Sequence, residues 1–232
     1  MKRNSTLFTL LVPALGAASF AARWLLFRTA VDERGLLIPW HPLTVLILVL
    51  TVLAALLSLK AVSGEVPDIA PSRASALGCA VLALSLAAAA LSASPANVLD
   101  LVWKVLGLGA AAALCFAAWN DTQGKQPSFL CSAILCLFFI SHLILRYRPW
   151  SSNPQWMEYL HELFSTGCLL LHAYYQAANG ADMKNAKMLR LTALFGGFCC
   201  LTAAAWGNLP LLYLAGGLWM LLPVFRWEGE AL

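Results

Sequence analysis

Charge is scarce in this sequence. Lysine, arginine, aspartate and glutamate make up only 11% of the 232 residues, while hydrophobic residues make up 61%. A soluble domain is nearer about a quarter charged and about half apolar, and a chain of this size has too little interior to hide the excess. An ordinary soluble fold is therefore excluded, and lipid is part of the solvent. The net charge of +4 is spread along the chain without a basic stripe, so nucleic acid is not an expected partner. No two cysteines form a Cys-x-x-Cys pair, and Cys79, Cys115, Cys131, Cys136, Cys168, Cys199 and Cys200 all fall in apolar runs. That excludes a redox dithiol or zinc ribbon, and leaves the cysteines as small hydrophobes. A phosphate-binding glycine loop, a Rossmann glycine pattern and a Gly-x-Ser-x-Gly elbow are absent too. Nucleotide hydrolysis by this chain alone is not expected, and no motif names a cofactor.

What the sequence does have is long apolar runs. A span needs roughly 20 mainly apolar residues. Eight candidates follow one another: Leu7 to Phe27, Leu43 to Leu59, Ser75 to Ala93, Val98 to Trp119, Phe129 to Leu145, Met157 to Ala177, Ala186 to Trp206 and Leu209 to Phe225. Turn and helix-break residues punctuate them, including Pro39-Trp40-His41-Pro42, Ser94-Pro95, Gly124 to Pro127, Pro149 to Pro154 and Gly207-Asn208-Leu209-Pro210. The pattern predicts an all-α, polytopic membrane bundle of about eight helices with short loops, forming one transmembrane domain over 1-232. The first run has a rival reading as a cleaved signal peptide, with Lys2 and Arg3 before it and Ser19-Phe20-Ala21 as the cleavage site.

Lysine and arginine in short loops set orientation. With the N-terminus in the cytoplasm, the inner side receives Lys2, Arg3, Lys60, Arg73, Lys125, Lys184, Lys187, Arg190 and Arg226. The outer side receives Arg28, Arg34, Arg146 and Arg148, with Arg23 and Lys104 just inside helix ends. The bias predicts a cell-membrane protein with cytoplasmic N- and C-termini. Trp24, Trp40, Trp103, Trp150, Trp156 and Trp206 then fall near the outer boundary, where amphipathic rings settle.

Pro-Trp recurs in the first and third outer connections, and tight links join spans three to four and seven to eight. This layout suggests a weak four-plus-four repeat, 1-122 and 123-232, although the halves share little direct similarity. Small residues are dense in spans three, four, seven and eight, including Gly107, Ala111, Gly196, Gly197 and Gly217. They predict that these four spans are close-packed interior helices with the closest helix contacts, because small side chains let backbones approach in lipid.

Ionisable groups within spans are costly, which makes them candidates for function. Asp100 and Lys104 lie four apart, on one face of the fourth span, as an internal pair. The sixth span carries a polar stripe: Glu158, His161, Glu162, Ser165, Cys168, His172 and Tyr175. The fifth carries Ser128, Ser132, Cys136, His142 and Arg146. If the two helices are neighbours, His142 and Arg146 approach Glu158, His161 and Glu162 at the outer end. Carboxylate and imidazole together bind divalent metals or move protons. Glu158-x-x-His161 has the spacing of di-metal bundles, but only one copy exists, and a His-Glu-x-x-His zinc motif is missing. A purely structural cluster, with the carboxylates paired to Arg146 or Arg148, accounts for the same residues. The mixed-charge turn Asp32-Glu33-Arg34-Gly35 and His41 lie in the first outer loop.

The first functional reading is a non-enzymatic membrane protein, either a small transporter-like bundle or an accessory subunit with a membrane-protein partner or a second copy. The alternative is an intramembrane enzyme with an outward-facing His/Glu site, with or without a metal. A third is a structural or sensory protein without a ligand. A polar cavity near mid-membrane, between helix sets, favours the first, an exposed apolar groove at helices five and six the second, and a tightly packed bundle without a cavity the third.

Overall fold

A computed structural model of the chain describes residues 2–31, 37–38, 40–64, 66, 71–95, 97–125, 128–150, 156–183 and 185–225, with side chains at 2–6, 148–150 and 156–158 excepted. The turn at Asp32 to Gly35, the side chains of Glu158 and Arg148, and the charges at both chain ends lie outside the described residues.

Eight helices follow one another: α1 (Lys2–Thr29), α2 (Pro42–Ala61), α3 (Arg73–Ser92), α4 (Val98–Thr122), α5 (Phe129–Trp150), α6 (Trp156–Gly180), α7 (Ala186–Ala204) and α8 (Pro210–Leu221). Local chemistry fixes their starts. The side chains of Ser72, Asn97 and Asn185 accept hydrogen bonds from the backbone N–H groups of Ser75, Asp100 and Met188, filling donors that a helix start leaves open. Pro42 and Pro210 open α2 and α8, where a missing N–H costs nothing. Gly124, at φ 68°, turns the chain beyond α4, a conformation that glycine adopts freely.

Six helices (α1 to α5 and α7) are long and apolar enough to cross a membrane, which makes the chain a helical membrane bundle. The other two have separate reasons for missing that standard. The α6 helix has the length but carries the polar stripe. The α8 helix has only 12 residues, roughly 18 Å at 1.5 Å per residue, against a hydrocarbon core of about 30 Å. It is sheltered, however, packing on α3, α7 and α6.

Sequence neighbours pair as hairpins, most extensively α3 with α4, and α7 is the hub, touching α1, α2, α6 and α8. Contacts of α3 with α8 and of α4 with α5 join the remaining helices around one core containing Leu86, Leu114, Phe138, Leu169, Tyr213 and Trp219. A second core, with Val12, Ala54, Leu194 and Phe198, seats the α1–α2 hairpin on α7. The starts of odd helices and the ends of even ones share one end of the bundle. Arg190 at the start of α7 donates to Thr9 near the start of α1, and Ser75 of α3 bonds Asp121 of α4. We call this the termini end and the opposite side the far end.

The small-residue contacts fall largely where expected. A Cβ on Gly197 would lie 2.5 Å from Leu221, and one on Gly196 2.8 Å from Cys168 and from the Met220 sulfur. The prediction that α4 is an interior helix is corrected. Its small residues Gly107, Ala110, Ala111 and Ala113 are buried, but Leu101, Val105, Phe116 and Trp119 on the other face are exposed. Small residues therefore mark one contact face of α4, whereas α7 is buried on most of its surface.

Candidate functional site

Polar residues of α6 line its buried side. His161, Glu162, Ser165, Thr166 and His172 are all buried, at three- and four-residue steps that place them along one side of a helix. Lipid offers these groups no hydrogen bonds, so α6 turns them toward the neighbouring helices.

At the far end Glu162 is 4% exposed. Its Oε1 accepts the Asn208 backbone N–H at 3.3 Å, and its Oε2 accepts the Tyr213 hydroxyl at 3.4 Å. The link between α7 and α8 thus folds over the carboxyl group. A Cβ at Gly207 would stand 2.9 Å from Oε1, so glycine is what lets the backbone come this close. Thr166 donates to the Glu162 carbonyl at 2.9 Å and lies 3.4 Å from the Tyr213 oxygen.

His161 looks the other way, toward α1 and α2, and is 3% exposed. The Thr51 hydroxyl donates to the Ile47 carbonyl at 2.8 Å and lies 3.4 Å from His161 Nε2. With the threonine proton committed, Nε2 must be the donor, which leaves Nδ1 with a lone pair. Nδ1 is buried and has no hydrogen-bond partner among the described residues. A cavity of about 10 Å³, bordered by Arg23, Phe27, Thr44 and His161, lies here, room for roughly one water. The buried Arg23 guanidinium stands 5.6 Å from the centre of the Phe27 ring, which stacks on Trp206 at 4.8 Å.

The other expected members of the cluster diverge from His161 and Glu162. His142 Nδ1 accepts the Trp103 indole N–H at 3.0 Å, so its proton sits on Nε2, and the ring stacks beside Phe138. No hydrogen bond joins His142 to His161 or Glu162 among the described residues. Arg146 is near enough for its charge to act on both His142 and Glu162. Lys104 donates to the Ala93 carbonyl at 3.1 Å, bracing the α3–α4 link, and the Asp100 N–H is capped by Asn97.

His172 belongs to the opposite end. Thr192 donates to the Leu189 carbonyl and lies 3.2 Å from His172 Nδ1. Nδ1 is therefore the donor, and Nε2 accepts the Gln176 amide at 3.3 Å. The ring meets the edge of Trp219 at 4.8 Å. Beside it lies a cavity of about 40 Å³ at the termini end, bordered by Ser75, Asp121, Ser132, His172, Gln176 and Asn179 among others. Asp121 is 4% exposed and accepts the Ser75 hydroxyl.

Sequence reasoning had singled out Ser132 and His172 but missed Asp121, Ser75 and Gln176. It ended the fourth span at Trp119, because Asn120-Asp121-Thr122-Gln123-Gly124 has the composition of a loop. The helix continues to Thr122 and carries Asp121 inward. The signal that would have found it is spacing: Asp121 follows the apolar residues Leu114 and Ala117 at steps of seven and four, on the buried face.

Among the described residues no three His, Cys, Asp or Glu side chains gather closely enough to hold a metal. Compared with known protein families, curated proteins and solved structures, the chain matches none.

Proposed function

We propose that the chain is a small, non-enzymatic, transporter-like bundle, one transmembrane domain in which α6 carries the route of a small hydrophilic solute. The observation that carries this reading is the pair of polar regions on one helix. The termini-end cavity reaches His172, and the far-end network begins at Thr166. Six residues separate them, roughly 9 Å of helix. Leu169, packed against Gly216, stands between as an apolar plug with Phe139 and Trp219 in the same core. His161 and Glu162, with Arg146 near enough to act on the carboxyl group, then form the far-end gate. Burial of His161 and Glu162 speaks against the enzyme alternative, since neither meets a substrate from outside without the bundle opening.

Cysteine accessibility tests the route without knowledge of the solute. In a background with the seven native cysteines replaced by alanine, Thr166→Cys and Leu169→Cys should react with a small water-soluble thiol reagent in membranes. Leu82→Cys, buried in the core, should not. Protection of all three positions would overturn the proposal.

Both termini are inferred to be cytoplasmic from the lysine and arginine bias. Reporter fusions at Leu232 and between residues 62 and 71 should both report the cytoplasm, and an external C-terminus would overturn the orientation.

A further inference from the structure

We propose that the termini-end cavity binds a small monovalent cation, an alkali ion or ammonium, with Asp121 as its counter-charge. The argument begins with the sign of the charge. Among the described residues that border the cavity, Asp121 is the one carboxyl group, and none is a lysine or arginine. Helix dipoles add little net field. The C-terminal ends of α4 and α6 and the turn after α8 meet there, but so do the N-terminal ends of α3, α5 and α7, and opposed ends offset one another. A neutral His172 satisfies both of its contacts, donating to Thr192 and accepting from Gln176.

The second step is solvation. An ionised carboxylate that is nearly buried needs several partners, and Asp121 has the Ser75 hydroxyl. A cation supplies the rest. Oxygen donors suited to a hard cation are at hand. Ser75 gives its proton to Asp121, which leaves its oxygen lone pairs outward of that bond. Gln176 uses its amide N–H on His172, which leaves its Oε1 as an acceptor. Ser132 contributes a hydroxyl from α5. Asn179 is less suited, because its Oδ1 accepts the Asn185 N–H.

Size and ligand count fix the class. A cavity of about 40 Å³ has room for roughly three waters, or one bare ion with water, and excludes sugars, nucleotides and lipid headgroups. A divalent ion in an all-protein site takes six or more oxygens, several from carboxylates, whereas the described residues bordering this cavity supply one carboxylate. A single negative charge balances a single positive one.

Calorimetric titration of the full chain, purified in detergent at pH 8 with choline chloride holding ionic strength constant, tests the site. Sodium, potassium or ammonium should bind saturably. Asp121→Asn should weaken that binding by roughly tenfold or more, while Asp182→Asn, an exposed carboxylate at the same end, should leave it unchanged. If Asp121→Asn does not fold, Ser132→Ala replaces it, with a weakening of roughly threefold expected. No saturable binding of any of the three ions to folded protein would overturn the proposal. So would unchanged binding in the variants, or tighter binding of calcium or magnesium. The ion's role as cargo rests on the route proposed above, and the two fail separately. Binding with Thr166→Cys and Leu169→Cys protected leaves a cation site without a route, and labelling without binding leaves a route for another solute.

Discussion

Gly78→Leu should leave little folded protein, and Gly78→Ala should lower stability in detergent by about 1–3 kcal/mol. Gly78 is where α3 meets α8. A Cβ there would lie 2.9 Å from the Trp219 Cα and 3.5 Å from the carbonyl oxygens of Leu218 and Trp219. The nearest obstacle is backbone, so no rotamer change relieves it. The helices must separate, and that loosens Trp219, a fully buried side chain of the main core. Helix association in lipid rests on such packing rather than on a hydrophobic force. Gly197 differs: its nearest neighbours are the Leu221 Cγ and methyl carbons, which a change of the whole side chain's rotamer moves without displacing backbone, so Gly197→Ala should cost less. The internal control is Gly167→Ala. Nothing stands within 4 Å of a Cβ there, and removing a mid-helix glycine should be neutral or gain up to about 1 kcal/mol. Thermal unfolding followed by size-exclusion chromatography reads all three. If Gly78→Ala matches the wild type, the close α3–α8 approach is wrong.

The helices were legible because lipid imposes a simple rule. Every backbone group must be satisfied within the span, so long apolar runs have one solution, and punctuation by Pro39, Pro42, Gly124 and Pro210 marks where they stop. Burial of His161 and Glu162 was legible for a related reason, since ionised groups in lipid are expensive. Partners were not legible. The expected meeting of α5 with α6 occurs, yet His142 bonds Trp103 of α4, Glu162 bonds the α7–α8 link and Tyr213 of α8, and His161 meets Thr51 of α2. Sequence order tells which helices form hairpins. It does not tell that α7 draws α1 and α2 against α6's surroundings, because small residues on α7 look alike on all sides. Arg23 illustrates the same limit. Its place near a helix end reads as an interfacial charge, whereas its burial beside the Phe27–Trp206 stack depends on the α7–α8 link, far away in the sequence.

Glu162→Ala should destabilise the bundle by about 1–3 kcal/mol, more than Tyr213→Phe. The magnitudes decide this. An interhelical hydrogen bond in a membrane protein averages about 0.6 kcal/mol by double-mutant cycle, so removing the long Tyr213 bond alone loses little. Glu162→Ala does more. It removes the acceptor of the Asn208 N–H, on an exposed residue, and of the buried Tyr213 hydroxyl, which keeps only the Thr166 oxygen at 3.4 Å, and a buried donor without a good acceptor costs about 1–3 kcal/mol. It also removes the negative charge near Arg146. Glu162→Gln separates these effects. The amide keeps a carbonyl oxygen for Asn208, and its N–H₂ can donate to the Tyr213 oxygen, so hydrogen bonding survives while the charge does not. If satisfaction of donors dominates, Glu162→Gln should cost about 1 kcal/mol or less. If pairing with Arg146 dominates, it should cost nearly as much as Glu162→Ala. The double variant Glu162→Ala with Tyr213→Phe should be more stable than the sum of the single losses implies, because the stranded hydroxyl is gone. Equilibrium unfolding in mixed detergent micelles measures each step. A Glu162→Ala loss no larger than that of Tyr213→Phe would mean that the carboxyl group does not hold α6 to α8.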